Sequence, residues 1–163
     1  MSFINFFRRK LRTEVAPLGS ALSSICSDIH KESFARGWTE NEFENLLSEQ
    51  NIIANYVHNI ASKKMFGFIL SRKAEDEAEI LSIAIKSKYR GRGMASTLLK
   101  EHINDLQNLG IIRLFLEVDK NNQPALRLYE KFGFFQVGER QSYYQSASGE
   151  YSTAYILRKD IAP

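Results

Sequence analysis

The chain has 163 residues, 44% of them hydrophobic and 25% charged, which is the balance of one globular domain able to bury a real core. Its net charge of +3 is local: Arg8, Arg9, Lys10 and Arg12 fall in residues 1–12 with no acid among them, and without these four the other 18 basic residues face 19 acidic ones, a net of −1. That excludes a broad nucleic-acid face, and no apolar run reaches the ~20 residues of a membrane span. Phe3 to Phe7 is too short for a signal core, and its arginines follow it instead of preceding it. The one cysteine, Cys26, cannot close an internal disulfide, so a reducing, cytoplasmic setting is expected. Residues 1–11 form a basic extension ahead of a single domain running to residue 163.

Arg12 to Pro17 is a short first strand. Ser20 to Phe34 is a helix, with Leu22, Ile25, Ile29 and Phe34 near helical spacing. Thr39 caps a second helix, and Glu42 completes a capping box. Ile52 to Ile60 and Lys64 to Ser71 are strands. Lys73 to Glu77 is a charged turn, and Glu79 to Ile85 is the next strand. A long helix follows, with Met94, Leu98, Leu99, Ile103, Leu106 and Leu109 as its apolar stripe and Gly110 as its stop. His102 falls on its polar side. Ile111 to Asp119 is a strand, and Asn122 and Pro124 open a short helix that ends at Gly133. Phe134 to Tyr144 and Tyr151 to Arg158 close the chain as paired strands. The order is βααβββαβαββ, with parallel pairing in the middle and hairpins elsewhere.

Between the strand ending at Ile85 and the long helix stands Tyr89-Arg-Gly-Arg-Gly-Met-Ala95. A strand-to-helix turn offers unpaired N–H groups and the positive end of a helix dipole, and glycines let the backbone approach a ligand. Phosphate is the natural guest, and Arg90 and Arg92 add charge-assisted donors. The Gly-Lys-Ser/Thr of a P-loop and the third glycine of a dinucleotide fingerprint are absent. On these residues alone an anion cradle and a solvated turn both remain open.

Arg90-x-x-Gly93-x-Ala95 resembles the acetyl-CoA pyrophosphate motif, Gln/Arg-x-x-Gly-x-Gly/Ala, of the GNAT superfamily of N-acetyltransferases. A second block, Leu116 to Phe134, is similar to the family's later strand–helix segment, with its Asn, Ala, Leu-Tyr and Gly-Phe. The resemblance covers roughly Arg12 to Arg158. Softer features resemble the RimI-type, ribosomal-protein-alanine branch: Glu117 with Tyr129 twelve residues on, Ser82 to Ile85, the His30–Phe34–Trp38 set, and Tyr143-Tyr144. Asp119 and Lys120, Gln145 and the basic extension depart from that branch.

The resemblance implies a GNAT α/β (α+β) fold: a mixed central sheet of six to seven strands, about four helices, and splayed parallel strands four and five. It implies acetyl-CoA as co-substrate, with no metal. His30, His58 and His102 have no metal-ligand spacing. Transfer would be direct, through a ternary complex, to an N-terminal α-amine of a ribosomal or other protein. A small amine or lysine acceptor, and a non-catalytic CoA-binding module, are the alternatives. Glu117 is the expected base, on a strand face shared with Phe115 and Asp119. As a bare residue it is equally a solvated strand-end charge. Tyr129 is the expected acid toward the CoA thiolate, or a packed helix aromatic. Ile83, Ala84 and Ile85 supply oxyanion and pantetheine contacts through their backbone. Arg90, Gly91, Arg92, Gly93, Met94, Ala95 and Ser96 form the pyrophosphate turn, with Arg92 an outer contact toward the 3′-phosphate. Asn122 is a CoA contact or a helix cap. Phe34, Trp38 and Tyr143 border the acceptor. Residues 28–50 carry six acids against Lys31 and Arg36, a net of −4, and form an acidic lip suited to a basic peptide or a plain solvated face.

Overall fold

The computed structural model describes residues 11–145 and 148–162. Strands β1 (Thr13–Pro17), β2 (Ile52–Asn59), β3 (Met65–Ala74), β4 (Glu77–Ile85), β5 (Arg113–Asp119), β6 (Phe135–Gln145) and β7 (Tyr151–Asp160) form one sheet in the order β1-β2-β3-β4-β5-β7-β6. Helices α1 (Ser23–Ser33), α2 (Glu40–Ser48), α3 (Met94–Asn108) and α4 (Gln123–Lys131) complete the expected βααβββαβαββ order. Among the described strands only β4 and β5 run parallel.

The sheet has an apolar core on each face. On one, α3 buries Leu98, Leu99 and Leu106 against Ile69, Leu114 and Leu116. On the other, α1 and α2 bury Cys26, Ile29 and Phe43 against Phe68 and Leu70. Fully buried side chains of this size each contribute about 1.5–3 kcal/mol of transfer free energy. Thr39 caps α2 as expected: its hydroxyl accepts from Glu42 N at 3.2 Å, and Glu42 accepts from Thr39 N at 2.7 Å.

Three local expectations give way. The charged turn expected over Lys73–Glu77 shrinks to Glu75 and Asp76, because Lys73 pairs with Ala78 and Ala74 with Glu77. Glu75 takes φ 55 to close that two-residue hairpin, and charges at strand tips stay wet while their backbones keep the ladder. The first helix begins as a single 3-10 turn at Ser20–Leu22, and its α-helical part stops at Ser33. His102 is not on a polar side but has no solvent exposure. Three polar groups compensate its burial. Asn55 Nδ2 donates to Asp105 at 2.8 Å, which turns Asn55 Oδ1 toward His102 Nδ1 at 2.6 Å; His102 Nε2 then accepts from the Ser71 hydroxyl at 2.7 Å. Burial holds His102 near a pKa of about 4, so it is the neutral Nδ1–H tautomer.

Ser71 lies where the ladder slips. Leu70 pairs with Ser82 but Ser71 pairs with Ile80, which leaves Leu81 as an extra residue in β4. Beside that bulge β4 parts from β5: their pairing runs from Glu77–Arg113 to Ile80–Leu116 and then ends.

Candidate active site

Beyond Ile80 and Leu116 the sheet is open, and two cavities of about 460 and 410 Å³ meet in the gap, sharing Phe34, Ile83, Asn122 and Tyr129. The first extends along Ala84, Ile85, Arg90, Gly91, Gly93, Met94, Ala95 and Ser96. The second extends to Ser82, Glu117 and Asp119.

The turn beside the first cavity is built from backbone. Gly91 at φ 71 and Gly93 at φ 80 occupy the left-handed region, and Gly93 caps α3 without any side-chain hydrogen bond. The first-turn amides of α3 therefore face outward unclaimed by a cap, next to the dipole's positive end. A pyrophosphate fits that donor set. The Arg90 guanidinium ties the turn in place, donating to Ile85 O at 3.0 Å and to Ser33 Oγ at 2.9 Å. Glu32 braces it from α1 by accepting from Ser87 N at 3.0 Å, and that bond holds its carboxyl below the usual range. Arg92 lies outside the cavity wall: it reaches Lys88 O at 3.3 Å and covers the Tyr89 ring at 5.4 Å.

Glu117 and Tyr129 approach the gap from opposite faces. Glu117 alternates with Leu116 and Val118, which belong to the α3-side core, so its carboxylate lies on the α1 side. Tyr129 is in the α3-side core, with its ring 5.4 Å from Phe134. The gap joins them through the sheet. Glu117 is not an isolated carboxylate: Arg140 of β6 reaches across β7 to Oε1 at 2.9 Å. Sequence spacing carried no sign of that pair, because Arg140 meets Glu117 only through the order β5-β7-β6.

Asn122 caps α4, accepting from Ala125 N at 3.2 Å, and also lines both cavities, so its two expected roles are compatible. Phe34 lines both cavities, whereas Trp38 lies farther along, in a third pocket with Glu79, Leu81 and Glu117. His30 holds Trp38 in place, stacked at 4.5 Å with its Nδ1 accepting from Trp38 N at 3.0 Å. Burial lowers the His30 pKa to about 4. The Tyr143 side chain and residues 1–10 lie outside the described residues. The acidic lip is partly committed: Glu42 bonds Thr39, Glu49 pairs with Arg72 at 3.2 Å, and Glu32 braces Ser87. Among the described residues no three His, Cys, Asp or Glu side chains converge on a metal-sized site, and no helix is long and apolar enough to cross a membrane.

The profile of the acetyltransferase (GNAT) family matches residues 21–134. The chain belongs to that family. It is 31% identical to the [ribosomal protein bS18]-alanine N-acetyltransferase of Salmonella typhimurium over 134 residues, covering 82% of this chain and 88% of that one. It is likewise 31% identical to the Escherichia coli protein of the same name over 121 residues, 74% of this chain and 80% of that one. The crystal structure of the ribosomal-protein-S18-alanine N-acetyltransferase from Escherichia coli superposes with a TM-score of 0.86 at 26% identity, covering 93% of this chain and 96% of that one. Arabidopsis thaliana NAA60, solved in complex with acetyl-CoA, shares the fold with a TM-score of 0.80 at 19% identity, covering 92% and 99%. As a GNAT acetyltransferase, the protein uses acetyl-CoA, and its parted β4 and β5 are the splayed parallel pair expected from the sequence.

Proposed function

We propose that this acetyltransferase moves the acetyl group of acetyl-CoA directly onto the N-terminal α-amine of a ribosomal or other protein. The observation that carries this reading is the gap through the sheet, with Glu117 on one face and Tyr129 on the other. The bS18-alanine specificity of relatives that this chain matches over most of its length supports the choice of acceptor. In this reading the pyrophosphate lies on Gly91 to Ser96, pantetheine runs along Ile83 to Ile85, and Phe34, Trp38 and Tyr143 border the acceptor. A peptide α-amine has a pKa of ~7.7–8.0, so a carboxylate suffices to take its proton near neutrality. Nitrogen attacks the thioester carbon, and a β4 backbone N–H holds the oxyanion. The C–S bond then breaks as Glu117 receives the amine proton, directly or through water, and Tyr129 protonates the departing thiolate. The reaction belongs in the cytoplasm, where the lone thiol of Cys26, buried and pushed up to about 12, stays inert.

The test incubates the protein with acetyl-CoA and three acceptor sets: free-N-terminal peptides, N-blocked lysine peptides and polyamines. Free CoA and product mass are followed. Turnover confined to α-amines supports the reading. Turnover only on lysine or polyamines replaces the acceptor, and CoA binding without turnover on any amine removes the enzyme.

A further inference from the structure

Ser82 is 6% exposed, and among the described residues its hydroxyl oxygen has no hydrogen-bond partner. A buried hydroxyl left unsatisfied is costly, so such a group needs a reason. Its position supplies one. Ser82 follows the Leu81 bulge, beyond the last β4–β5 pair, where the sheet is open. Its ladder partner Leu70 belongs to the α1-side core, so Ser82 shares the face that carries Glu117. Both residues line the cavity of about 410 Å³. The hydroxyl is thus an unused polar group on the wall of the same cavity as the carboxylate expected to receive the amine proton.

A primary amine attacking a thioester directs its lone pair at the carbonyl carbon and has two N–H bonds left. One leads to Glu117. The other needs an acceptor, and an unsatisfied oxygen on the same wall is of the right kind. We propose that Ser82 Oγ accepts the second N–H of the attacking α-amine, and so orients the acceptor for transfer. The inference rests on the α-amine reading given above. In the step itself the C–N bond forms, the C–S bond breaks, one amine proton passes to Glu117 and Tyr129 protonates the thiolate. Ser82 neither gains nor loses a proton. Its bond forms when the acceptor is bound.

The test is Ser82→Ala with Ser82→Thr beside it. Ser82→Ala should lower kcat/KM for a free-N-terminal peptide about 3- to 10-fold, the size of one neutral hydrogen bond. Its affinity for acetyl-CoA should not change. Its Tm should hold or rise, because the hydroxyl removed satisfies nothing in the free protein. Ser82→Thr keeps the oxygen and should restore most of the rate. A peptide with an N-methylated α-amine, which has one N–H fewer, should lose less relative to its primary counterpart in Ser82→Ala than in the wild type. A fall in Tm with unchanged peptide kinetics would make Ser82 a structural residue and overturn the inference alone. If the wild type acetylates no α-amine at all, the proposed function fails and this inference with it.

Discussion

On the α3 side of the gap the site is, apart from Tyr129, mostly main chain: left-handed Gly91 and Gly93, an uncapped helix end, and the edge of β4. On the α1 side it is made of side chains drawn from distant segments, with Glu117 of β5 held by Arg140 of β6 and Trp38 stacked on His30 of α1. The contrast follows the chemistry of the two partners. A pyrophosphate is recognised by N–H groups that every residue owns, so glycine and a helix start suffice. An acceptor is recognised by what it carries, and only side chains differ enough to read it. In the proposed reading the donor half can be shared across a family, while the acceptor half carries the specificity.

The comparison breaks most sharply at the two proposed proton carriers. Glu117→Gln should lower kcat by 10²- to 10⁴-fold and Tyr129→Phe by ~10²-fold, with acetyl-CoA affinity nearly unchanged in steady-state and binding assays. Wild-type rates in either variant would remove that role.

Each face also buries a neutral histidine, His30 on the α1 side and His102 on the α3 side, both lowered to about 4. The unfolded chain takes up these protons at its ordinary value near 6.5. Stability is therefore full above that pH and is lost as pH falls toward 4. By pH 5.5 each site should cost about 1.4 kcal/mol. Urea melts at pH 7.5 and 5.5 measure the sum, and single His→Gln variants show whether the two faces share it.

A third contrast concerns room. A Cβ built on Gly67 would come within 2.4 Å of Ile85 Cδ1 and 2.5 Å of Ala84 O, at the end of β4 that lines the donor cavity. Gly67→Ala should cost about 1–3 kcal/mol by thermal melt and raise KM for acetyl-CoA more than for the peptide. The smallest effect belongs to the lip: Glu40→Gln with Glu44→Gln should raise KM for a basic peptide about 2-fold at low salt and not at high salt.

Legibility followed the same division. The conformation of the Gly91–Gly93 turn could be read because glycines at a strand–helix junction have a local cause, and Thr39, Asn122 and Gly110 act within a few residues of themselves. Glu117 and Tyr129 could be placed on their elements, but the gap between their faces was given only by the family resemblance, because where β4 and β5 stop pairing leaves no local pattern. Arg140 was invisible because its partner lies two strands away. His102 was misplaced because a histidine in a helical pattern scores as polar until Asn55 and Ser71, from two other strands, supply its bonds.

That histidine gives the protein a built-in spectroscopic gauge. Its Nδ1 proton, sealed from water and bonded to Asn55, should exchange slowly enough to give a resolved proton resonance far downfield of the backbone amides. The other end of the ring bonds Ser71, the residue at which β3 slips past the β4 bulge. If acetyl-CoA shifts β4 at this opening, the resonance should move on titration with acetyl-CoA. A shift of that one line in a one-dimensional spectrum would then report occupancy of the cleft without a label, and an unmoved line would show that the two are uncoupled.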